Sequence, residues 1–480
     1  MLSLFKNKPA FTEVDPNKVF YNIGALMDIP TGRYVKGMKG ENIMNGGLSV
    51  FTAVMGKPNT YKTKVARYMM LSAASKVASS GIFPYLNTYD TEVNVDVEHC
   101  LNLANKFDAF KDIDLCKEGV WSITDKTHHL GNEWFKLLKD FLRNEKIKNK
   151  KDYTFETPFV DKENKAIKVI FPSFGDLDSV SEFSTADIEE IQNKNELGDS
   201  AGNTIHMRSG LAKTRLLMEI PGVCNAASHY IIMTAHIGKE IPMNQGPFTM
   251  PTKQLPHMKP GEVVKGVAGK FLFLSNLLWQ TVSSSSFNNQ TTKGPEYPKT
   301  RERVDEGSFD LNIVTIKLVR NKSGASGPSF DLLISQTEGV LPSLTEFHFI
   351  KENGRYGLEG NDRNYNLILY PDVGLSRTTV REKLNSDPLL RRAVKITADL
   401  LQIKSFYRDL PVDIPDVKAL YEKLKEKYDW KTLLETRDYW TFKNYEHPVP
   451  FLSTMDLIEM YYDKYEPYWL TKGKEKKDGK

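Results

Sequence analysis

The strongest constraint on how this chain can fold comes from one stretch near its N-terminus. An apolar run at residues 48–55 has the length and composition of a buried strand, and apolar residues recur with helical spacing over residues 62–77. A second strand-like run follows at residues 82–89. Parallel strands need a crossover connection, so this order predicts a βαβ unit that opens a mostly parallel sheet.

Further strand-like runs along the chain extend this sheet. Two of them, at residues 312–318 and 330–335, are joined by a turn with Gly324 and Gly327, which predicts an antiparallel hairpin at the sheet's edge. The expected fold class is therefore α/β, with a mostly parallel sheet core flanked by helices. The other predicted core strands span residues 166–171, 230–234 and 272–282.

Length and composition limit the number of domains and the class of protein. A single core stops growing at about 250–300 residues, so a chain of 480 residues is expected to form two domains. We predict an N-terminal oligomerisation segment at 1–28, a core at 29–340 and a smaller helical or mixed domain at 341–480 with a basic tail. Because no apolar run reaches about 18 residues and no signal-peptide pattern is present, a cytoplasmic protein without a membrane span is expected.

Charge and cysteine content give only weak guidance about function. The formal net charge of +4 is nearly balanced, so charge alone gives little support for a nucleic-acid partner. The three cysteines are widely spaced and include no CxxC pair, which excludes a disulfide framework. Local motifs must therefore decide the function.

The segment between the first strand and its helix has the properties of a phosphate-binding loop. Backbone N–H groups at the N-terminus of a helix can face phosphate oxygens, Lys62 can reach the β- and γ-phosphates, and the Thr63 hydroxyl can bind Mg²⁺. Tyr61 stands where the usual motif has glycine, so an ordinary strand–turn–helix connection remains an alternative. The loop consists of Gly56, Lys57, Pro58, Asn59, Thr60, Tyr61, Lys62 and Thr63.

The next strand ends in carboxylates. Asp90 and Glu92 follow the apolar run at the edge of the sheet where ligands bind in open α/β folds. Glu92 can orient or deprotonate an attacking water, although such acidic residues also cap helices. Next to a phosphate loop, the catalytic interpretation is favoured.

A phosphate loop with an aromatic residue in place of its last glycine, followed by a strand that ends in Asp-Thr-Glu, resembles the RecA family of recombinases, in particular its phage UvsX type. Three later segments match the family in the same order. They are residues 195–200 with 207–212, similar to the first DNA-binding loop and its helix, Ala235-His236 at the end of a strand, and the basic strand end at 317–322.

The resemblance implies roles for individual residues in binding ATP and Mg²⁺. Lys62 and Thr63 would hold phosphate and metal, Glu92 would be the catalytic carboxylate, and His236 would sense the γ-phosphate. Arg320 and Lys322 would reach across a protomer interface to stabilise charge on a neighbour's phosphoryl group. The positions that contact and stack on adenine in the family are Asp96 and His99.

One position departs from the family pattern. The strand at 169–171 should be followed by the aspartate that holds the water shell of the metal, but Pro172 stands there. Asp176 lies four residues further on, and Asp90 at a neighbouring strand end can also serve as the metal carboxylate. Nucleotide hydrolysis is therefore less firmly predicted than nucleotide binding.

The resemblance also implies single-stranded DNA and homologous duplex DNA as partners. The protein would form a helical filament, with DNA held by loops at about 196–208 and 238–269, and would work with a single-strand-binding protein and a loading mediator. Cations that follow phosphates, with an apolar side chain between bases, would bind DNA with little sequence preference. The candidate DNA contacts are Arg208, Lys213, Arg215, Phe248, Lys253, Lys259 and Lys265.

Two alternatives use the same core. A hexameric helicase would share it, but only about 55 residues precede the phosphate loop, which is expected to leave no room for the N-terminal collar domain of a helicase. An ATP-binding filament or accessory protein with impaired hydrolysis is the other alternative, and Pro172 motivates it.

Overall fold

The fold is built around one large, mostly parallel sheet. The structure, a computed structural model, describes residues 19–194, 202–239, 255–267, 270–300, 310–361, 363–406 and 413–470. Within these residues the strands are β1 (Arg33–Lys36), β2 (Asn42–Asn45), β3 (Phe51–Gly56), β4 (Leu86–Asp90), β5 (Trp121–Asp125), β6 (Thr154–Val160), β7 (Ala166–Ile170), β8 (Ser173–Asp178), β9 (His229–Lys239), β10 (Glu262–Val264), β11 (Leu277–Ser286), β12 (Leu311–Asn321), β13 (Ser329–Ser335), β14 (Gly339–Val340), β15 (Leu358–Gly360), β16 (Tyr365–Leu367) and β17 (Tyr370–Leu375). The main sheet has the strand order β14-β13-β12-β11-β3-β9-β8-β4-β5, with β10 attached to β9.

Helices cover this sheet and form most of the C-terminal part. The first long helix packs against β3, β8 and β9, so it covers the centre of the sheet. The described residues also form a π-helix, Phe141–Ile147, and two short 3₁₀ turns, Asp108–Phe110 and Val180–Glu182. The α-helices are α1 (Asp28–Thr31), α2 (Lys62–Ala78), α3 (Val97–Ala104), α4 (Gly131–Asp140), α5 (Ala186–Lys194), α6 (Gly202–Ala227), α7 (Lys270–Leu274), α8 (Pro342–Glu352), α9 (Val380–Ser386), α10 (Pro388–Phe406), α11 (Val417–Lys427), α12 (Trp430–Leu434) and α13 (Thr454–Tyr461).

The parallel strands bring four chain segments to one edge of the sheet. Every residue of β3, β4 and β8 is buried, as expected for strands covered on both faces. Their register aligns Gly56 with His236 on β9, and Asp90 on β4 with Asp178 on β8. Because parallel strands point the same way, the residues that end them meet at this carboxyl edge, where open α/β sheets bind ligands.

The βαβ prediction is confirmed, and one strand assignment is corrected. The phosphate-loop strand, its helix and the next strand form β3, α2 and β4, with the helix at the predicted position. The run at 166–171 forms β7, which pairs with β6 in a separate two-stranded sheet. The core strand of this region is β8, which the sequence pattern did not identify, because its residues include two aspartates and a glycine and so lack a continuous apolar run.

The predicted antiparallel hairpin is also present. The strands β12 and β13 pair antiparallel over residues 311–317 and 329–335. The edge strand of the sheet is the two-residue strand β14, which lies beyond β13. The hairpin therefore lies one strand in from the edge. β12 itself is an interior strand between β11 and β13, which corrects its expected position at the edge.

The N- and C-terminal parts pack on each other within the same chain. In the segment predicted to mediate oligomerisation, residues 19–28 are described and mostly buried: Phe20 accepts a hydrogen bond from the Trp440 indole at 3.1 Å, and Leu26 accepts one from Gln402 at 2.9 Å. Residues 1–18 and the basic tail lie outside the described residues. Among the described helices, none is both long and apolar enough to span a bilayer.

Candidate nucleotide-binding site

The loop between β3 and α2 contains two residues with left-handed backbone conformation. Asn59 has a φ of 59° and Tyr61 has a φ of 62°. Glycine adopts this region freely, whereas a residue with a Cβ is disfavoured there by about 1–2 kcal/mol. Tyr61 therefore takes a conformation that suits the glycine of the usual motif, and the chain still turns directly into α2.

Hydroxyl groups from β11 hold this loop in place. Thr281 Oγ1 lies 2.6 Å from Thr60 Oγ1, and Ser284 Oγ donates to the Asn59 carbonyl at 3.1 Å. The approach of β11 requires glycine at position 56, since a Cβ on Gly56 would lie 1.8 Å from Thr281 Oγ1. The close contact between the two strands thus fixes the start of the loop.

Lys62 begins α2, and its ammonium group turns back toward the loop. The side chain is buried, and Nζ donates to the Lys57 carbonyl at 2.9 Å. Burial lowers the pKa of Lys62, while the carboxylates of Asp178 and Glu92 act in the opposite direction. An ammonium group beside the first-turn N–H groups of a 17-residue helix is an arrangement that attracts phosphate oxygens.

A cavity of about 590 Å³ opens beside the loop. This volume lies in the range of small-molecule sites, about 300–1,000 Å³. A larger cavity of about 690 Å³ lies between α4, α5 and α6, but no residue of the loop lines it, so the chemistry favours the smaller one. The smaller cavity is lined by Pro58, Asn59, Thr60, Tyr61, Lys62, Thr63, Lys64, Glu92, Asp178, His236 and Gln336.

The strand-end aspartate beside the phosphate loop is Asp178, the last residue of β8. Thr63 Oγ1 donates to Asp178 Oδ2 at 2.5 Å, and the Thr234 hydroxyl donates to its other oxygen. Burial raises the pKa of Asp178, although both hydroxyl contacts oppose this rise. The expectation that Pro172 takes this position was wrong, because the run before it belongs to β7, outside the main sheet.

The two carboxylates considered as replacements have structural roles. Asp176 forms a buried ion pair with Arg67 at 3.2 Å. Asp90 accepts hydrogen bonds from three backbone N–H groups of the following turn at 2.6–2.8 Å, which closes that turn. We therefore take Asp178 rather than Asp90 as the candidate metal carboxylate, because Asp178 contacts Thr63 directly.

Glu92 and His236 both line the cavity and are in direct contact with each other. His236 Nε2 lies 2.9 Å from Glu92 Oε1, and Ser179 Oγ donates to the same oxygen at 3.2 Å. Burial opposes ionisation of Glu92, but the hydrogen bond and the electrostatic attraction of His236 outweigh it, so the pKa of Glu92 is lowered. An ionised carboxylate held beside a phosphate loop can orient or deprotonate a water molecule.

The pair expected at the nucleobase lies outside this cavity. Asp96 caps α3, where its carboxylate accepts hydrogen bonds from the N–H groups of Glu98 at 2.9 Å and His99 at 3.3 Å. Neither Asp96 nor His99 lines the cavity. Lys64 and Gln336 line the cavity, and the ammonium group of Lys64 donates to the Gln336 carbonyl. Asp96 is therefore the N-cap residue of α3 and does not line the cavity.

Arg320 and Lys322 lie at the opposite end of the sheet from the phosphate loop. Asn321 pairs with Leu277 at the start of β11, whereas Gly56 pairs with the middle of the same strand, four residues later. These two cations therefore point away from the loop of their own chain, as expected. Arg320 donates to the Phe273 carbonyl at 3.3 Å and Lys322 to the Leu274 carbonyl at 2.8 Å.

One cation expected at the DNA surface has a different role. Lys213 is buried, and its Nζ donates to the carbonyl oxygens of Ser181 at 2.5 Å and Gly266 at 2.8 Å. Burial lowers the pKa of Lys213. The assignment of Lys213 to the DNA backbone is therefore corrected, because its ammonium group is enclosed by the protein.

The other candidate DNA contacts fall into two groups. The base of the segment 238–269 is an antiparallel hairpin in which β10 pairs with the end of β9. Phe248 and Lys253 lie outside the described residues, as does the segment 195–201 of the first loop. Four cations are exposed on α6 and around β10, namely Arg208, Arg215, Lys259 and Lys265.

Sequence reasoning missed residues that the fold brings to the cavity. Asp178 is followed by Ser179, just as Asp90 is followed by Thr91, and this shared strand-end pattern is a signal that identifies Asp178. Gln336 follows β13 and reaches the cavity only through the order of strands in the sheet, so no local pattern indicates it.

The oxygens in the cavity suit a magnesium ion held jointly with phosphate. Mg²⁺ keeps several of its waters and binds through one or two protein oxygens together with phosphate oxygens. Thr63 Oγ1 and Asp178 supply such oxygens beside the loop. Within the described ranges, no cluster of three or more His, Cys, Asp or Glu side chains is placed to hold a metal by itself.

The site thus combines the loop between β3 and α2, a buried carboxylate next to a threonine hydroxyl, and a carboxylate–imidazole pair at one sheet edge. All three belong to a mixed α/β fold with a large, mostly parallel sheet flanked by helices. No protein-family model matches the chain, and no curated protein matches its sequence.

Proposed function

We propose that this chain is an ATP-dependent recombinase of the RecA type, which assembles on single-stranded DNA and pairs it with homologous duplex DNA. The observation that carries the proposal is the contact of Thr63 with Asp178 at 2.5 Å, directly beside the buried Lys62. A threonine, a lysine and a strand-end aspartate in this arrangement form a site for a nucleotide and its metal.

The residues around the cavity divide the binding of ATP between them. Lys62 and the first-turn N–H groups of α2 would hold the β- and γ-phosphates, because both present positive charge to the loop. Thr63 and Asp178 would hold Mg²⁺, which neutralises phosphate charge when bound. The wall formed by Lys64 and Gln336 bounds the cavity beside the loop.

Hydrolysis of ATP would depend on Glu92. Its lowered pKa keeps the carboxylate ionised at neutral pH, so it can accept a hydrogen bond from water and orient it toward the γ-phosphate. His236 Nε2 lies 2.9 Å from Glu92 Oε1. His236 belongs to β9, and the C-terminal end of this strand leads into the segment 240–254. Asp178 ends β8 beside Thr63 and is a candidate for the strand-end carboxylate that Pro172 cannot supply, which favours hydrolysis over the hydrolysis-impaired alternative.

DNA binding and assembly belong to the same proposal. The exposed cations around β10 and on α6 favour a polyanionic partner, and binding through phosphates would be insensitive to sequence. Arg320 and Lys322 point away from their own loop, which suits a nucleotide shared between neighbouring protomers in a filament. A single-strand-binding protein and a loading mediator are further expected partners.

The nucleotide site is tested with Lys62→Ala. Loss of the buried ammonium group should abolish ATP binding, measured by titration with a fluorescent ATP analogue, while circular dichroism remains unchanged. Lys148→Ala removes an exposed lysine and serves as the matched control. Equal analogue affinity in both variants would exclude the phosphate loop from nucleotide binding.

The assembly is tested by electron microscopy of the full chain with single-stranded DNA and a non-hydrolysable ATP analogue. Helical filaments are expected, with the analogue required for their formation. Closed six-membered rings would favour the hexameric helicase and overturn the recombinase proposal.

A further inference from the structure

A cavity of about 160 Å³ lies at the outer edge of the main sheet, between β4, β5 and α4. We call this space, which is lined by Asn87, Ser122, Thr124 and Trp134 among others, the edge cavity. Pairing aligns Asn87 with Ser122 and Tyr89 with Thr124, so alternate residues of the two strands face the same side of the sheet. No residue that lines the edge cavity also lines the nucleotide cavity, so the two are separate sites.

Aromatic and aliphatic side chains form most of the wall of the edge cavity. The rings of Tyr85 and Phe141 contact each other with centroids 4.8 Å apart, and Trp134 and Leu137 of α4 extend this apolar surface. Leu137 and Ser122 are exposed, so the mouth of the cavity lies between α4 and the edge strand β5. Among the described side chains that line the cavity, none carries a carboxylate, ammonium or guanidinium group. The cavity therefore suits a neutral molecule with a largely apolar surface.

The indole of Trp134 brings a hydrogen-bond donor to this wall. Its N–H is buried and has no acceptor among the residues that the structure describes. The ring stacks on Tyr89, with centroids 4.6 Å apart and an interplanar angle of 12°. Tyr89 is itself held, since its hydroxyl donates to the His129 carbonyl at 2.8 Å. The direction of the Trp134 N–H is therefore fixed by packing, which leaves the donor free for a bound molecule.

The amide of Asn87 brings a matching acceptor. Its Oδ1 is buried and has no donor within the described part of the chain. The neighbouring strand β8 makes room for it, because a Cβ on Gly175 would lie 2.6 Å from Asn87 Oδ1 and 3.1 Å from His229 Nε2. His229 Nε2 is likewise buried and without a partner among the described residues, while the other nitrogen of that ring lies 2.9 Å from Ser173 Oγ. Unpaired polar atoms are thus concentrated at the inner end of the cavity.

Size and polarity together define the class of ligand. An apolar cavity of about 150 Å³ holds one benzene ring, so the edge cavity has room for a single ring. Aromatic walls favour a planar ring, and buried polar atoms in proteins are nearly always paired with a partner. A ring that accepts a hydrogen bond from Trp134 and donates one to Asn87 needs a C=O group and an N–H group, which a cyclic amide provides.

We propose that the edge cavity is a binding site for a neutral single-ring heterocycle of the pyrimidine type. A carbonyl oxygen of the ring accepts a hydrogen bond from the Trp134 N–H, and a ring N–H donates to Asn87 Oδ1. The inference goes beyond the proposed function and does not depend on it, because the two cavities have no lining residue in common. Uracil has neighbouring C=O and N–H groups in one six-membered ring, and it is therefore the probe for the test.

The experiment titrates the full chain with uracil and follows binding by ligand-observed NMR. The wild type should bind one equivalent of uracil saturably. Benzene fits the volume but leaves both polar atoms unpaired, so it should bind about tenfold more weakly or worse. Orotate, which adds a carboxylate to the same ring, should also bind about tenfold more weakly or worse, because no cation lines the cavity to compensate the buried charge.

Variants of the wall identify the site. Trp134→Phe keeps an aromatic ring without the N–H, and Asn87→Leu removes the amide at similar size, so each should lower uracil affinity about tenfold. Ser122→Phe places a ring at the exposed mouth, where a strand tolerates an aromatic residue, and should block binding. Asn144→Leu changes an exposed asparagine outside the cavity and should keep wild-type affinity. If a variant of Trp134 or Asn87 unfolds, Ser122→Phe carries the test.

The outcomes separate this inference from the proposed function. A wild type without saturable uracil binding, a Ser122→Phe protein with unchanged uracil affinity, or benzene bound as tightly as uracil would each overturn the assignment of the edge cavity. Lys62→Ala should abolish binding of the ATP analogue and leave uracil affinity unchanged. Loss of uracil affinity in that variant would place uracil in the nucleotide cavity and likewise overturn the inference, whereas an unaltered ATP-analogue affinity would contradict only the proposed nucleotide site.

Discussion

Thr63 and Asp178 are 115 residues apart in the chain, yet the threonine hydroxyl donates to the aspartate carboxylate at 2.5 Å. One residue stands in the first turn of α2 and the other at the end of β8, two strands away from β3 in the sheet. The contact thus depends on the parallel order of β3, β9 and β8, which brings their carboxyl ends to one edge.

Asp178→Asn should reduce ATP turnover by about 100-fold or more, because an amide cannot replace the negative charge next to Mg²⁺. The amide oxygen can still accept the Thr63 hydroxyl, so the melting temperature should change little. Steady-state phosphate release at saturating ATP and Mg²⁺ measures the effect. Asp125→Asn, at the end of the edge strand β5 and outside the cavity, is the control and should retain wild-type turnover.

Gly56→Ala should block formation of the phosphate loop. The added Cβ would meet Thr281 Oγ1 at 1.8 Å, so β11 or the loop would have to move. We expect loss of ATP-analogue binding, measured by equilibrium titration, and a lower melting temperature. The double variant Gly56→Ala with Thr281→Ala removes the closest atom and should recover part of the affinity. Wild-type affinity in the single variant would contradict the structure of the loop.

The sequence is sufficient to predict the parts of this fold that rest on continuous local patterns. Two short apolar runs identify the strand 51–56 and the strand that ends at Asp90. The helical spacing of apolar residues identifies the helix that begins at Lys62. The candidate residues Lys62, Thr63, Glu92 and His236 line one cavity, as the motif order predicts. Their positions follow from the strands that carry them.

The parts that were missed depend on contacts distant in sequence. β8 is flanked by the run of β7, which is more apolar and was therefore taken for the core strand, although it pairs with β6 outside the sheet. Lys213 looks like a surface cation in the sequence, and only the approach of Ser181 and Gly266 encloses it. Tertiary contacts decide such positions, whatever the local pattern favours.

DNA binding by the β9–β10 hairpin is testable through its salt dependence. Each phosphate contact contributes about 0.7 to the slope of log affinity against log salt for a single strand, so Lys259→Ala with Lys265→Ala should reduce the slope by about 1.4. Fluorescence anisotropy of a labelled oligonucleotide over a range of salt concentrations provides the measurement. The control pair Lys165→Ala with Lys168→Ala alters exposed lysines near β7 and should leave the slope unchanged. Equal slopes in the two double variants would show that these two lysines of the hairpin do not contact DNA phosphates.

The raised pKa of Glu346 on α8 predicts that the stability of the fold depends on pH, independently of the nucleotide site. Burial raises its pKa to about 8, from a usual value of 4.5, so the folded protein holds a proton that the unfolded chain releases between these values. Stability is therefore highest at the acidic end of this window and falls as pH rises toward 8. The charged groups that also influence Glu346 are Lys395, Asp399, Asp438 and Lys76.

Glu346→Gln keeps the size of the side chain but cannot ionise. Relative to wild type, it should raise the free energy of unfolding by about 5 kcal/mol at pH 9 and change it little at pH 5. Urea denaturation at the two pH values measures the difference. Glu352→Gln, at the exposed end of the same helix, is the control and should show the wild-type pH dependence. A parallel pH dependence in all three proteins would contradict the raised pKa.

The expected sharing of the site between protomers gives the sharpest test of the proposed function. Arg320 and Lys322 lie at the end of β12 that is remote from their own loop, so under this proposal their charges would serve the nucleotide of a neighbouring protomer. Removal of such a cation typically lowers phosphoryl transfer by about 1,000-fold or more, because the reaction depends on charge stabilisation. Arg320→Ala with Lys322→Ala should therefore abolish DNA-stimulated ATPase activity while the affinity of the isolated protomer for ATP remains unchanged.

Mixing two inactive proteins then distinguishes shared from self-contained sites. Glu92→Gln lacks the catalytic carboxylate but keeps both cations, whereas the Arg320→Ala/Lys322→Ala protein keeps Glu92. At junctions where an intact Glu92 faces the intact cations of its neighbour, activity should return, and it should pass through a maximum near an equal mixture. The measurement is phosphate release from filaments whose mixed composition is verified by differential labelling. If verified mixed filaments recover no activity, the cations act within their own subunit or outside catalysis, because a shared site must regain function wherever its two halves meet.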